Sequence, residues 1–314
     1  MIDTVLVHKG DVFPNYLRDT IHQFYLFNPN SKLVIITDYM FAETTSLLQC
    51  YPYLKNIITT SLKKTLAHSI YTKFSLLNRS FRGGFWKYAM ERFFVIDDYI
   101  RQYNPEGVIH FEYDNTIYFN VEQLYKIFIS TGKELAIPQD SPDRCIPSIV
   151  FIKGNTILHD FCVEYNLKHL LRRFNDMRSF WRFCSRNSEK THFLPVLPQN
   201  YTNRLQYLKS SSGIKEPNPS LYSMFQKEYG GIFDAAAFGQ FLGGIDPRND
   251  ETSRPGFVNE TAVYSPESFK IIWERDEQNR LIPIIETNDG KYKLFNLHVH
   301  SKNIISFLSD RDQV

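Results

Sequence analysis

The amino-acid sequence predicts an α/β fold with a mostly parallel central sheet flanked by helices and a smaller mixed β region toward the C-terminus. Apolar, strand-like runs alternate with helix-period segments over the first 120 residues, which favours parallel strands joined by crossing helices. Short strands and a hairpin signal follow in the later part. The 314 residues are 43% hydrophobic and 15% aromatic, so the chain can form one large domain with a substantial core.

The first part of the chain opens with a predicted β-α-β unit. Residues 4–8 and 33–37 are short apolar runs, and 16–27 carry apolar side chains at helical spacing. A longer helix is expected over 85–103, followed by a strand over 108–111 that leads directly into acidic residues. The carboxyl ends of such strands are where α/β proteins bind ligands.

The later part of the chain predicts a different mixture of elements. Strands are expected over 136–138 and 146–152, and a long amphipathic helix over 155–175. Residues 209–220 are rich in Ser, Gly and Pro and predict a mobile loop, and Asn-Asp-Gly at 288–290 predicts a hairpin. A glycine-rich helix and a closing strand complete the pattern.

Charge and cysteine usage narrow the class of protein. The net charge is +2, so nothing indicates a nucleic-acid partner. The basic clusters at 168–173 and 178–186 are interpreted as solvated helix faces, with contact to an anionic membrane or a charged acceptor as the alternative. The four cysteines are scattered and form no CxxC pair. Neither a signal peptide nor a membrane-spanning run is recognised in the sequence. A cytosolic location is therefore expected, in a bacterial cell or a virus-infected host.

Two carboxylates follow the predicted strand over 108–111, in the order Glu112-Tyr113-Asp114. Residues two apart in a strand point the same way, so Glu112 and Asp114 are expected to face one side. A hard divalent cation such as Mg²⁺ or Mn²⁺ prefers oxygen ligands and keeps waters and substrate phosphates among them. The motif therefore predicts a divalent-cation site, with a solvated strand end as the structural alternative.

A second cluster, NLHVHSK over 296–302, lies near the C-terminus. Alternation puts His298 and His300 on one face, and an imidazole is a good Mn²⁺ ligand. Lys302 can meet a phosphate as a point charge. An acidic pair, a late histidine and a lysine together predict a metal–diphosphate site, while a packing role is the alternative for the histidines.

These segments resemble a known class of enzymes. VIHFEYDN after the helix FWKYAMERFFVIDDYI resembles the Asp-x-Asp element of GT-A glycosyltransferases, closest to a bacterial and viral group with a Glu-x-Asp variant. GGIFDAAAFGQFLGGIDPRN, GFVNET and NLHVHSKN are also similar to that group. The resemblance runs from about residue 3 to about residue 305 and is weakest over 175–225. It implies one GT-A-like catalytic domain over 1–314, with a nucleotide-sugar-binding half at 1–120 and an acceptor-binding half at 121–305.

The resemblance also implies an activity and a set of roles. A hexosyl or N-acetylhexosaminyl group would move from a nucleotide sugar, expected to be a UDP-sugar, to a glycan or other hydroxyl acceptor, with Mn²⁺ or Mg²⁺ as the cofactor. Asp114 would bind the cation, and His300, or else His298, would be the C-terminal ligand. Glu112 would contact the ribose or the cation, and Lys302 the diphosphate.

Further positions match the group around this centre. His8 and Asp38, at the ends of the first two strands, resemble residues that hold the nucleoside, and Arg92 resembles a basic residue that steadies the acidic motif. Asp234 matches a segment that faces donor and acceptor and is expected to be the catalytic base of an inverting enzyme, with helix capping as the alternative. Asp246 is interpreted as a turn residue. Glu260 is a further candidate for a residue of the site.

Three other classes of protein fit the sequence less well. A nucleotidyltransferase is disfavoured, since VLVHKGDVFPN replaces the Gly-rich, Arg-containing loop expected after its first strand. A metal-dependent hydrolase or nuclease would need a denser set of ligands for two metals. A non-catalytic sugar-binding module would need aromatic platforms but neither Asp114 nor a metal-binding histidine.

Overall fold

The structure is a computed structural model that describes residues 2–77, 80–172, 174–205, 208–210, 213–215, 218–250, 252, 254–258 and 261–312. Its α-helices are α1 (Leu17–Phe27), α2 (Ala42–Cys50), α3 (Leu66–Phe74), α4 (Phe85–Tyr103), α5 (Val121–Ser130), α6 (Ile157–Lys168), α7 (Asp176–Arg186), α8 (Pro219–Tyr222), α9 (Gln226–Tyr229) and α10 (Phe238–Gly243). Its strands are β1 (Asp3–His8), β2 (Leu33–Thr37), β3 (Leu54–Ile58), β4 (Gly107–Phe111), β5 (Asn115–Ile117), β6 (Leu135–Ser141), β7 (Arg144–Cys145), β8 (Ile149–Lys153), β9 (Thr191–Leu194), β10 (Leu208–Ser210), β11 (Gly213–Lys215), β12 (Gly231–Ile232), β13 (Lys270–Arg275), β14 (Leu281–Thr287), β15 (Gly290–Leu294) and β16 (Asn296–His298). Short 3₁₀ turns lie at Thr59–Ser61, Phe81–Gly83, Leu170–Arg172, Gln199–Arg204, Pro266–Ser268 and Ile304–Phe307.

The central sheet confirms the predicted α/β fold. Its strand order is β3-β2-β1-β4-β8-β6-β7, and β9 also pairs with β6. The first four strands in this order are mutually parallel, β8 is antiparallel to both neighbours, and β6 and β9 are parallel to each other. The opening β1-α1-β2 unit has the predicted order, with β1 between β2 and β4.

Helices cover both faces of this sheet, which explains why its strands are continuous apolar runs. In β1, Val5 and Val7 pack into a core shared with α3, α4, α6 and α7, while Leu6 packs into a second core shared with α1 and α5. Successive strand residues point to opposite faces, so one short run supplies both cores. α4 is buried along most of its length and carries Arg92 across the sheet to the ends of the strands.

A smaller mixed sheet, β12-β15-β14-β13, forms the predicted β region toward the C-terminus. The predicted hairpin is present, because β14 ends at Thr287 and β15 begins at Gly290 after a two-residue turn. Gly290 has a φ of 145°, a backbone conformation that L side chains rarely adopt. A third apolar core joins this sheet to α10 and to the chain after β16.

Two predicted segments differ from the structure. The helix expected over 155–175 is wrong in length: α6 ends at Lys168, and α7 starts afresh because the Asn175 side chain accepts a hydrogen bond from the Arg178 N–H (3.1 Å). The segment predicted as a mobile loop, 209–220, lies partly outside the described residues, and its described part includes pieces of β10, β11 and α8. Among the described helices, none has the length and apolar character that crossing a membrane requires.

Candidate active site

The acidic motif and the C-terminal histidines meet because β16 pairs with β5. The antiparallel register sets His298 opposite Asn115, the residue that follows the acidic motif. A buried bond from Asn296 Nδ2 to Asn115 Oδ1 (2.8 Å) joins the two strands through their side chains. The backbone N–H of Val299 also donates to the carbonyl oxygen of Asp114 (2.7 Å). Segments far apart in the sequence therefore lie side by side at the end of β4.

Glu112, Asp114 and His298 form a compact group of possible metal ligands. Each offers one ligand atom, and these atoms lie within 4.8 Å of one another. Nε2 of His298 is 3.1 Å from a carboxylate oxygen of Glu112 and 3.4 Å from one of Asp114. Two carboxylates and an imidazole are a donor set that Mn²⁺ or Mg²⁺ accepts, so this group could hold a divalent ion.

The carboxylates converge by a route that the sequence did not predict. β4 ends at Phe111 and does not continue through the motif. The Asn115 N–H donates to the carbonyl oxygen of Glu112 (3.0 Å), which closes a turn into β5. This turn, and not strand alternation, brings Glu112 and Asp114 to the same point.

The structure gives His298 the place facing the acids that the resemblance assigned first to His300. Nδ1 of His298 lies 2.9 Å from the carbonyl oxygen of Ala235 and must donate to it, so Nε2 is directed at the carboxylates. His300 stands behind, with Nε2 at 3.2 Å from Nδ1 of His298 and Nδ1 at 2.6 Å from the Gln240 amide nitrogen. The histidine in the ligand group is therefore His298.

Two cations balance the acidic pair. Arg92 donates to Glu112 and, through its other terminal nitrogen, to buried Asp176 (3.0 Å), while Lys302 donates to Asp114. Burial alone would raise the pKa of Glu112, but Arg92 and His298 lower it to about 2. Burial would likewise raise the pKa of Asp114, and Lys302 and His298 hold it well below its usual range. Both carboxylates are therefore ionised at neutral pH.

The pKa values of the two histidines at this site are shifted in opposite directions. Burial would lower the pKa of His298, but the two carboxylates raise it to about 10. Burial, with the positive charges of His298 and Lys302, holds the pKa of His300 well below its usual range. In this arrangement His298 is cationic and is a further counter-ion of both acids, and His300 is neutral.

Asp234 is fully buried beneath the site. One carboxylate oxygen accepts the backbone N–H groups of Ala237 (2.9 Å) and Phe238 (3.0 Å). The other accepts those of Gly239 (2.7 Å) and His298 (2.9 Å). These contacts support the capping interpretation, since they tie the start of α10 to β16 and give the carboxylate no open face toward an acceptor.

Two clefts meet at the acidic pair. The larger has a volume of about 490 Å³ and lies at the ends of β1 and β4, where His8 and Lys9 line it. The smaller has a volume of about 290 Å³ and lies toward α10 and the histidines. The residues that line both clefts are Arg82, Phe85, Ala89, Arg92, Glu112, Asp114 and Lys302. A ligand spanning both clefts would pass over the possible metal site.

Of the two residues predicted to hold a nucleoside, one lines the larger cleft and the other lies behind its lining. His8 lines the cleft itself, with Nδ1 3.4 Å from the Tyr113 hydroxyl, and burial lowers its pKa. Asp38 lies behind Lys9, with Oδ1 2.6 Å from Nζ, and also accepts from the Thr59 hydroxyl (2.7 Å). Asp38 therefore contributes to this cleft by holding Lys9 in place.

Asp246 lies at the rim of the smaller cleft. It accepts a pair of bonds from Arg248 (3.0 and 2.6 Å) and has Arg82 at 3.6 Å. The backbone N–H of Arg248 also donates to the side chain of Asp246 (2.9 Å), which is the turn role predicted from the sequence. Glu260 lies outside the described residues.

Several residues of the site were not predicted. Asp176, the buried partner of Arg92, is 84 positions away in sequence and belongs to the segment where the resemblance is weakest. Lys9 could have been found, since it directly follows the first strand, where ligands bind in such sheets. Gln240, which holds His300, gives no signal in sequence beyond its place in a glycine-rich helix.

Solved glycosyltransferase structures are similar to this chain. Mouse xyloside xylosyltransferase 1 in its apo form aligns with a TM-score of 0.46 at 12% identity, covering 62% of this chain and 85% of that one. The galactosyltransferase LgtC with donor and acceptor sugar analogues gives 0.42 at 9% identity, with 64% and 77% covered. The glycosyltransferase GlyE of Streptococcus pneumoniae TIGR4 gives 0.41 at 11% identity, with 65% and 46% covered.

No protein-family model and no curated protein sequence matches the chain. With TM-scores below 0.5, the structural matches assign neither donor, acceptor nor activity to this chain.

Proposed function

We propose that the chain is a metal-dependent glycosyltransferase that moves a sugar from a nucleotide sugar, such as a UDP-sugar, to a hydroxyl acceptor such as a glycan. One observation carries the proposal: Glu112, Asp114 and His298 converge, with Lys302 beside them, where two clefts meet. Transfer from a nucleotide sugar releases a diphosphate, and positive charge at this point would stabilise the leaving group.

Glu112, Asp114 and His298 would hold the cation, with Mn²⁺ as our first choice and Mg²⁺ as the second. When bound, the ion supplies positive charge that stabilises the departing diphosphate. The donor set supports such an ion, because both carboxylates are ionised and the His298 ring is oriented by the Ala235 carbonyl. A bound cation would take over the role of counter-ion that His298 has here, so its Nε2 would lose a proton on binding.

The protein's own side chains have separate roles in this proposal. Lys302 lines both clefts and would move from Asp114 to a phosphate oxygen once a cation takes the carboxylate. Arg92 holds Glu112 at the site. His8 and Lys9 would contact the nucleotide in the larger cleft, and the smaller cleft would receive the sugar and the acceptor.

The rival metal-dependent hydrolase or nuclease receives less support. Within the described residues, the one group of three or more possible metal ligands is Glu112, Asp114 and His298. Two-metal hydrolases need several more ligands to bridge two ions. A sugar-binding module would not need a group of charged possible metal ligands at all.

The proposal is tested by the melting temperature of the protein with Mn²⁺ and a panel of nucleoside diphosphates and nucleotide sugars. We expect at least one nucleotide to raise the melting temperature only when Mn²⁺ is present, because a ligand of the native state stabilises it. Asp114→Asn should lose this rise and the release of nucleoside diphosphate, whereas Asp289→Asn in the exposed hairpin turn should keep both. If no nucleotide shifts the melting temperature, the proposal fails.

A further inference from the structure

Exposed leucines gather on a face formed by α3, α6 and the 3₁₀ turn after α6, outside the two clefts at the acidic pair. Leu66 of α3, Leu167 of α6 and Leu171 in the 3₁₀ turn after α6 are 77%, 78% and 71% exposed. Val163, one helical turn before Leu167, is 37% exposed. We call these four residues the leucine face.

The leucine face is continuous because α3 and α6 are joined at this point. The side-chain amide of Asn166, next to Leu167, donates to the carbonyl oxygen of Ala67, next to Leu66 (2.7 Å). The ring of Tyr71 also packs on that of Tyr165 beneath the surface. The exposed leucines therefore stand on a firmly packed support.

Basic side chains lie on one side of the leucine face. Lys63, Lys64 and Arg101 line an open hollow of about 610 Å³, together with Leu66 and His159. Their positive charge has a partial counterpart in Asp97, which lies 3.8 Å from Arg101 and 2.8 Å from His159.

More basic side chains lie on the other side, formed by α6, α7 and the turn between them. Lys168, Arg172, Arg182 and Arg186 belong to this side, where Glu164 pairs with Lys168 (3.3 Å) and with Arg186. Asp160 at the start of α6 is the other acid of that helix. Burial and the arginines around it lower the pKa of His169 to about 4, as expected in a region of positive potential.

We propose that the leucine face docks on the surface of an anionic lipid bilayer. Apolar side chains that project from helices and are flanked by Lys and Arg are suited to the boundary between headgroups and acyl chains. The basic side chains complement anionic headgroups, and each contributes to binding near such a surface.

Docking would also set the distance from the bilayer to the active site. α7 begins with Asp176, which binds Arg92 at the acidic motif, and ends with Arg186 beside the leucine face. Its 11 residues span about 16 Å. The clefts would thus be held close to the lipid surface.

The test is sedimentation of the full chain with vesicles, which needs no turnover and so is independent of the proposed enzyme activity. We expect binding to vesicles of equal phosphatidylcholine and phosphatidylglycerol, weakening at high salt, and no binding to phosphatidylcholine alone. Lys168→Glu with Arg172→Glu should weaken binding about 25-fold or more, since each basic residue near the surface contributes roughly five-fold. Leu167→Glu with Leu171→Glu should weaken it by more than about tenfold.

Control variants make the same kinds of substitution elsewhere, each with half the charge change of the corresponding double variant. Ile305→Glu alters an exposed apolar residue outside the leucine face, and Lys227→Glu alters an exposed lysine of α9. Both should bind as the parent does, and all variants should keep the parent's melting temperature. Absence of binding to the anionic vesicles would overturn the proposal and leave a protein as the candidate occupant. An equal loss in the control variants would overturn it too, since net charge alone would then explain binding.

Discussion

Gly239 lies where α10 crosses β16, and its replacement tests how the fold positions His298. An alanine Cβ at Gly239 would stand 2.5 Å from the carbonyl carbon of His298 and nearer still to its oxygen, against about 3.4 Å for ordinary contact. The atoms in conflict are backbone atoms of a paired strand, so they cannot move aside as a side chain can. The helix and the strand must therefore separate by about 1 Å.

This displacement should affect stability and the metal site together. Overpacking of this kind costs up to about 3 kcal/mol of unfolding free energy. A misplacement of about 1 Å at a reacting centre costs roughly 100-fold in rate. We expect Gly239→Ala to lose up to about 3 kcal/mol of unfolding free energy. We also expect it to bind Mn²⁺ at least about tenfold more weakly, because the ring of His298 moves with the displaced backbone of β16.

Urea unfolding and Mn²⁺ titration by calorimetry measure the two effects. Gly243→Ala is the matched control, because it makes the same change in the same helix and the atoms nearest to its Cβ would belong to the side chains of Ser301 (3.2 Å) and Phe307 (3.3 Å). We expect the control to stay within about 1 kcal/mol of the parent. Equal stability and equal Mn²⁺ affinity in the two variants would refute the proposed support of His298 by α10.

Four further substitutions test the roles inferred for single residues. Asp234→Asn should lower the unfolding free energy by about 3–6 kcal/mol, because two of the four charge-assisted backbone bonds to this side chain are lost, at about 1.5–3 kcal/mol each. If stability is unchanged and turnover is lost, Asp234 is instead the catalytic base. Arg92→Met should cost about 3–5 kcal/mol in urea unfolding, because it leaves buried Asp176 without its cation and Glu112 with His298 alone. A cost below about 1 kcal/mol would contradict the ion-pair role. His298→Ala should abolish measurable Mn²⁺ binding, whereas His300→Ala should weaken binding about tenfold, because His300 contacts the ligand His298 and not the ion. The reverse order would show that His300 is the metal ligand.

The sequence predicted the elements whose signals are local. The helix expected over 85–103 matches α4, because its apolar spacing is regular and Asn104, in a left-handed conformation, ends it. β1, β2 and β4 match their predicted runs within one residue at each end, since strands buried on both faces are uninterrupted apolar runs. The long helix over 155–175 was predicted wrongly, because the cap that starts α7 competes with an otherwise continuous helical pattern.

The candidate site was predictable by residue type but not in its contacts. Carboxylates at a strand end and a late histidine can be recognised in sequence, because metal ligands belong to few residue types. The rank of His298 over His300 depends on the register of β16 on β5, which no local pattern encodes. The pairing of Arg92 with Asp176 likewise depends on the packing of α7 against α4.

Anomalous diffraction from crystals soaked with Mn²⁺ and a nucleoside diphosphate tests the central claim most directly. We predict one manganese peak within about 2.0–2.6 Å of ligand atoms from Asp114 and His298, with the diphosphate on its open side and Lys302 turned toward a phosphate oxygen. A nucleotide bound without manganese at these residues, or a manganese peak away from the meeting point of the two clefts, would contradict the proposal.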